Sequence, residues 1–177
     1  MTPQSAALMA EYNRWMNQRM IEAALRLPPS EITKDRGAFF GSLLQTLNHI
    51  AVADTIWLNR FARHPNASDL RANLAGFPVP GSLRQELASS LQDLRIHRSA
   101  LDEIIVTWAG SLTEGQLGET LNYTNMSGVV QSKNFGALVQ HFFNHQTHHR
   151  GQASTLLFQA GVDVGVTDLL AVIPNEA

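Results

Sequence analysis

Apolar positions along the chain recur at helical spacing in four long stretches and alternate at strand spacing in only one short place. From Ser5 to Leu27 the series Leu8, Tyr12, Trp15, Met16, Ala23 and Leu27 predicts a first helix, which Pro28-Pro29 stops. From about Ala38 to Arg63 the stripe Phe40, Leu43, Leu44, Leu47, Ala51 and Leu58 predicts a second, closed by His64-Pro65-Asn66. Residues Pro65 to Gly81 hold Asn, Asp, Gly and three prolines and read as a connecting loop. Ser82, with Gln85 three residues on, reads as the capping box of a third helix. Leu87, Leu91, Leu94, Leu101, Ile105 and Trp108 carry that helix to about Ala109. Leu121–Thr124 and Val129–Ser132, flanking Asn125-Met-Ser-Gly128, predict a small hairpin. A fourth helix is expected from about Asn134 to Ala160, with Gly161 at its end and a short apolar segment in the tail. Four long amphipathic helices predict an all-α, four-helix bundle.

Length narrows this to one domain over residues 1–177, large enough to bury a core without staples. A net charge of −2 with only two lysines, Lys34 and Lys133, argues against a nucleic-acid partner, which needs a basic stripe to displace counterions. No apolar run approaches the ~20 residues of a membrane span. The opening MTPQSAALMAEYNRW lacks the basic-then-apolar order of a secretory signal, so a cytoplasmic location is expected. Cysteine is absent, which removes disulfides, thiolate metal sites and cysteine nucleophiles together.

The chemistry sits in the histidines. Seven are present, four of them between His141 and His149. His145 and His149, four apart, place their rings side by side on a helix, ~6 Å apart at Cβ, on the same stripe as Leu138, Phe142, Ala153 and Leu156. Burying two imidazoles costs stability unless each finds a partner, and one divalent metal satisfies both. A third ligand must come from elsewhere, and His49 on the second helix is the best candidate. It falls beside Val52, Ala53 and Ile56, roughly opposite the main stripe, so that helix carries two apolar faces. This fits a central helix or one that also meets a second subunit, and spacing leaves open which face holds a metal. The bland alternative is a bundle with hydrogen-bonded core histidines. His141 continues the series as a ligand, a ligand's partner or a surface residue, while His148 lies about 100° round the helix. Asp54 and Glu22 are candidates to orient an imidazole or a water, and Arg150 to bind an anion or bridge helices. Tyr12 and Trp15 suit core packing or a pocket wall. No phosphate loop, dinucleotide fingerprint or nucleophile elbow is present, and no catalytic residue is singled out.

Asn144-His-Gln-Thr-His-His-Arg-Gly-Gln152, with Leu47-Asn-His-Ile50 upstream, Gly161-Val-Asp-Val-Gly-Val-Thr-Asp168 downstream and Tyr12-Asn13-x-Trp15 near the start, resembles the DinB-like family over nearly the whole chain. The resemblance implies an up-down-down-up bundle, a homodimer, and a divalent metal, commonly nickel or zinc, on His49, His145 and His149. The family includes transferases that use a small thiol, and a cation on three neutral ligands would also suit metal-assisted hydrolysis, so a metal-dependent transferase or hydrolase acting on an unidentified small molecule is expected. The alternative is a non-catalytic metal-binding or stress-response module.

Overall fold

Four of the helices begin where a hydroxyl side chain takes up a free backbone N–H group. The computed structural model describes residues 1–176. Thr2 caps helix α1 (Pro3–Ala24) in a reciprocal box with Ser5, and proline stands in the first turn, where its missing N–H costs nothing. A short helix α2 (Pro29–Thr33) follows. Ser42 and Gln45 cap α3 (Leu43–Phe61) in the same way. After α4 (Ser68–Asn73), Ser90 caps α5 (Leu91–Gly110), and Thr113 caps α6 (Glu114–Gly118). Strands β1 (Thr120–Thr124) and β2 (Val130–Asn134) pair antiparallel, Thr120 facing Asn134 and Thr124 facing Val130. Asn134 then caps α7 (Phe135–Gln159), and the tail closes with a 3₁₀ turn, Leu169–Val172.

α1, α3, α5 and α7 are the long helices, with α1 against α5 and α7, and α3 against α7 and α5. Side-chain pairs set their directions. Asp54 meets Arg98 and Phe61 stacks on Trp108, so α3 and α5 run the same way. His49 meets His145 and His149, Trp57 meets His141 and Phe61 meets Phe135, so α7 runs against α3. Phe61, Trp108, Phe135 and Phe142 form the aromatic centre, with Phe61 and Trp108 parallel at 5.0 Å.

Three expected boundaries move. The second long helix starts at Leu43, not Ala38, because Gly37 and Gly41 take left-handed φ values of 68° and 84° and fold residues 38–41 into a tight turn. The third starts at Leu91, not Ser82. Gln85 turns its side chain back to accept from the Gly81 N–H at 2.7 Å, and Asn48 of α3 takes the Leu87 and Ala88 N–H groups at 3.0 Å each. Those groups are therefore withdrawn from a helical ladder. The segment expected as plain loop contains α4, whose Leu70 is buried.

Nearly every residue of α3 is buried, so both of its apolar faces are covered within the chain. A second subunit is not needed to explain them. Between the helices runs a buried polar chain. Asp54 holds Arg98 at 2.5 Å, Arg98 lies 2.9 Å from Asp102, and Asp102 accepts from Asn17 at 2.9 Å. Arg150 donates to Asn13, which also reaches Asp102.

Gly136, in the first turn of α7, is required by close packing. A Cβ there would stand 2.9 Å from the Leu117 carbonyl oxygen. Gly136→Ala is expected to destabilise the fold by about 1–3 kcal/mol, as other overpacked sites do, read as a lower melting temperature.

Candidate metal centre

Three imidazoles converge at the α3–α7 contact. One ring nitrogen from each of His49, His145 and His149 lies within 4.8 Å of the other two. His145 Nε2 and His149 Nε2 are 3.1 Å apart. Two nitrogens bound tetrahedrally to one zinc stand about 3.3 Å apart, given bonds of ~2.0–2.1 Å, so the pair is already at ligating separation.

Each ring is aimed by a neighbour. His49 Nδ1 lies 2.9 Å from the Leu83 carbonyl oxygen, an acceptor, so Nδ1 carries the proton and Nε2 keeps its lone pair. His149 Nδ1 lies 2.7 Å from Gln152 Oε1, which fixes the same tautomer. The other end of that amide, Gln152 Nε2, is 3.3 Å from His148 Nε2 and donates to it. Phe40 stacks on His49 at 3.9 Å and closes one side of the cluster. The tight turn that delays the start of α3 is what places this ring. Asn48, beside His49, anchors residues 87–88 and thereby the segment that supplies the Leu83 carbonyl.

Electrostatics keeps the lone pairs free. Burial lowers the pKa of His49 and His149, and burial with the neighbouring imidazoles pushes His145 down to about 3. All three are neutral at pH 7. Neutral ring nitrogens facing one another are a donor set for a cation.

The remaining candidates divide cleanly. His141 sits beside the cluster, 6.1 Å from the His145 ring, and packs on Trp57. His148 is exposed and touches the cluster only through Gln152 and the His149 ring. Asp54 does not orient a ligand: it is committed to Arg98, and its burial raises its pKa to about 6. Glu22 lies in a surface cleft with Arg19 and Arg26. Arg150 points away from the imidazoles to Asn13, Thr147 and the Tyr12 ring, so it joins helices. Tyr12 donates to the Thr167 carbonyl at 2.6 Å and ties down the tail. His64 pairs with Glu119 at 3.0 Å and stacks on Phe135. His97 is packed against Phe77. Leu83, Gln152 and Phe40 were missed by pattern reading. Only Gln152 carried a signal, three residues beyond His149 on the same helical face.

A mostly helical chain with a largely buried histidine triad between two of its long helices defines a class of bundle protein. The DinB family profile matches residues 1–176, and the chain belongs to the DinB family. Among curated proteins it is 26% identical over 159 residues to Protein DinB of Bacillus subtilis (strain 168), covering 89% of this chain and 87% of that one. The crystal structure of a DinB-like protein from Bacillus cereus ATCC 10987 superposes with a TM-score of 0.53 at 21% identity, covering 88% of this chain and 91% of that one, which shows the shared fold. No helix among the described residues is long and apolar enough to cross a membrane.

Proposed function

We propose that His49, His145 and His149 hold one divalent cation, nickel or zinc, and that the chain is a metal-dependent enzyme, a transferase acting with a small thiol or a hydrolase. The observation that carries this reading is the convergence of three neutral ring nitrogens, two of them with tautomers set by Leu83 and Gln152. Such a cation, held by uncharged ligands, lowers the pKa of a bound water or thiol or polarises a carbonyl. The protein's share is orientation and exclusion of water: Phe40 seals one side, while a cleft lined by His49 and His145 opens on another. That cleft favours an enzyme over a non-catalytic metal-binding or stress-response module. A homodimer is part of the same proposal and rests on the family resemblance, and a cytoplasmic location is proposed with it.

Metal-loaded protein should melt higher than chelator-treated protein. At a free metal concentration a hundred times Kd the gain is about 2.7 kcal/mol, or roughly 5–10 °C for a chain of this size. Loaded protein should also turn over an electrophile with a low-molecular-weight thiol, or an activated ester, and lose that turnover on chelation. A melting temperature unmoved by metal and chelator contradicts the metal reading. A metal-dependent shift without turnover on any pair contradicts the enzymatic one.

A further inference from the structure

The cleft beside the histidines has two chemically different ends. It encloses about 330 Å³ between α3, α7 and the β1–β2 turn. His49 and His145 line one end. Arg60 lies three helical turns along α3 on the same face, ~16 Å of axial rise. Ala53, Ile56 and Trp57 fill the stripe between them, so the middle is apolar. The turn residues Asn125, Met126 and Ser127 cover it. No carboxylate lines the cleft among the described residues.

Arg60 is unusual for a surface arginine. Its guanidinium lies 4.6 Å from the Trp57 ring centroid and 5.1 Å from that of Tyr123, and those two rings lie 5.4 Å apart. The side chain is half-buried. Burial lowers its pKa, and the titratable neighbours that act on it are the Tyr123 phenol and the like-charged Arg63, with no acid among them. Among the described residues this partly dehydrated cation has no carboxylate partner, and it packs over two aromatic rings instead. Side chains on a helix lean toward its N-terminus, which aims Arg60 back along the cleft toward His49.

We propose that Arg60 is the anion-recognising end of the substrate cleft, and that the substrate is an elongated small molecule bearing a carboxylate ~10 Å from the group that meets the histidine centre, the ~16 Å of axial rise being shortened by the reach of the Arg60 side chain back along the helix. This rests on the metal reading above. One planar guanidinium matches a carboxylate through two parallel N–H···O bonds. A phosphate dianion would meet only one fixed positive charge here, since Arg60 is the one arginine or lysine lining the cleft among the described residues. The apolar stripe suits a plain hydrocarbon or aromatic spacer.

The test uses cobalt(II)-loaded protein, in which thiolate binding gives a charge-transfer band. At low ionic strength 6-mercaptohexanoate should bind about tenfold or more tighter than 6-mercaptohexanol, and 3-mercaptopropionate, too short to span the cleft, should show no such advantage over 2-mercaptoethanol. Arg60→Gln should abolish the preference and leave 6-mercaptohexanol affinity unchanged, which also reports that the variant is folded. Acetate should compete with 6-mercaptohexanoate better than inorganic phosphate at equal ionic strength. Equal affinities in the wild type, a preference that survives Arg60→Gln, or stronger competition by phosphate overturns the assignment while leaving the histidine centre intact. Loaded protein that shows no cobalt ligand-field bands before thiol is added overturns the histidine reading and this inference with it, whereas bound cobalt without a thiolate band for any thiol overturns this inference alone.

Discussion

Arg98→Met is expected to cost about 3–5 kcal/mol of stability at neutral pH, the range for removing one partner of a buried ion pair. Arg98 lies between two buried carboxylates, Asp54 at 2.5 Å and Asp102 at 2.9 Å, and is itself 4% exposed. Burial lowers its pKa, but the two carboxylates outweigh that and hold it above its ordinary value. Methionine fills much of the same volume, so the loss is electrostatic and not a cavity. Asp102 would then be left with Asn13, Asn17 and the more distant Arg150, and Asp54 with Gln146, as compensation in a low-dielectric interior.

The pH dependence gives this prediction a sign. Burial already raises Asp54 from 3.8 to about 6 and raises Asp102, with Arg98 the main opposing influence. Removing Arg98 raises both further. A carboxylate whose folded pKa lies above its unfolded one contributes stability below the unfolded value and loses it as pH rises through the folded one. The variant's deficit should therefore be smallest near pH 4 and grow toward pH 8. Denaturant unfolding of both proteins across that range checks it. A deficit that is flat with pH, or below about 1 kcal/mol at pH 7.5, would show that the buried charges are compensated otherwise.

The second large effect falls on the histidines. His145→Ala should weaken divalent-metal binding by more than ~100-fold, whereas Gln152→Ala should cost ~10–100-fold, the usual range for a group that orients a ligand ring. The difference follows from position. His145 contributes a ring nitrogen at the centre of the cluster, 3.1 Å from that of His149. Gln152 acts one bond further out, on His149 Nδ1. Competition against a chromophoric chelator at fixed pH measures both. A Gln152 variant weaker than the His145 variant would mean that the cation sits elsewhere on α7.

Much of this was legible in the residues. The 3.6-residue apolar period located all four long helices, and the i, i+4 spacing of His145 and His149 placed them together on the stripe that points into the bundle, though not which helix they meet. The hairpin was legible from Asn125–Gly128 between two β-prone runs. The start of the third helix was not, because Ser82 and Gln85 satisfy the capping pattern locally while Asn48, about forty residues upstream, takes the backbone donors instead. Long-range side-chain-to-backbone bonds leave no periodic trace. For the same reason the Leu83 carbonyl that aims His49 could not be foreseen. The second helix does carry apolar residues on two faces, which the chain itself covers, but Phe40, counted on the face opposite His49, lies in the turn before the helix and stacks on that ring.

Elemental analysis of purified, dialysed protein tests the central claim most directly. Wild-type chain should carry one nickel or zinc ion per molecule after loading, and His49→Ala, His145→Ala and His149→Ala should each carry far less while remaining folded by circular dichroism. A full equivalent of metal retained in all three variants would contradict the account.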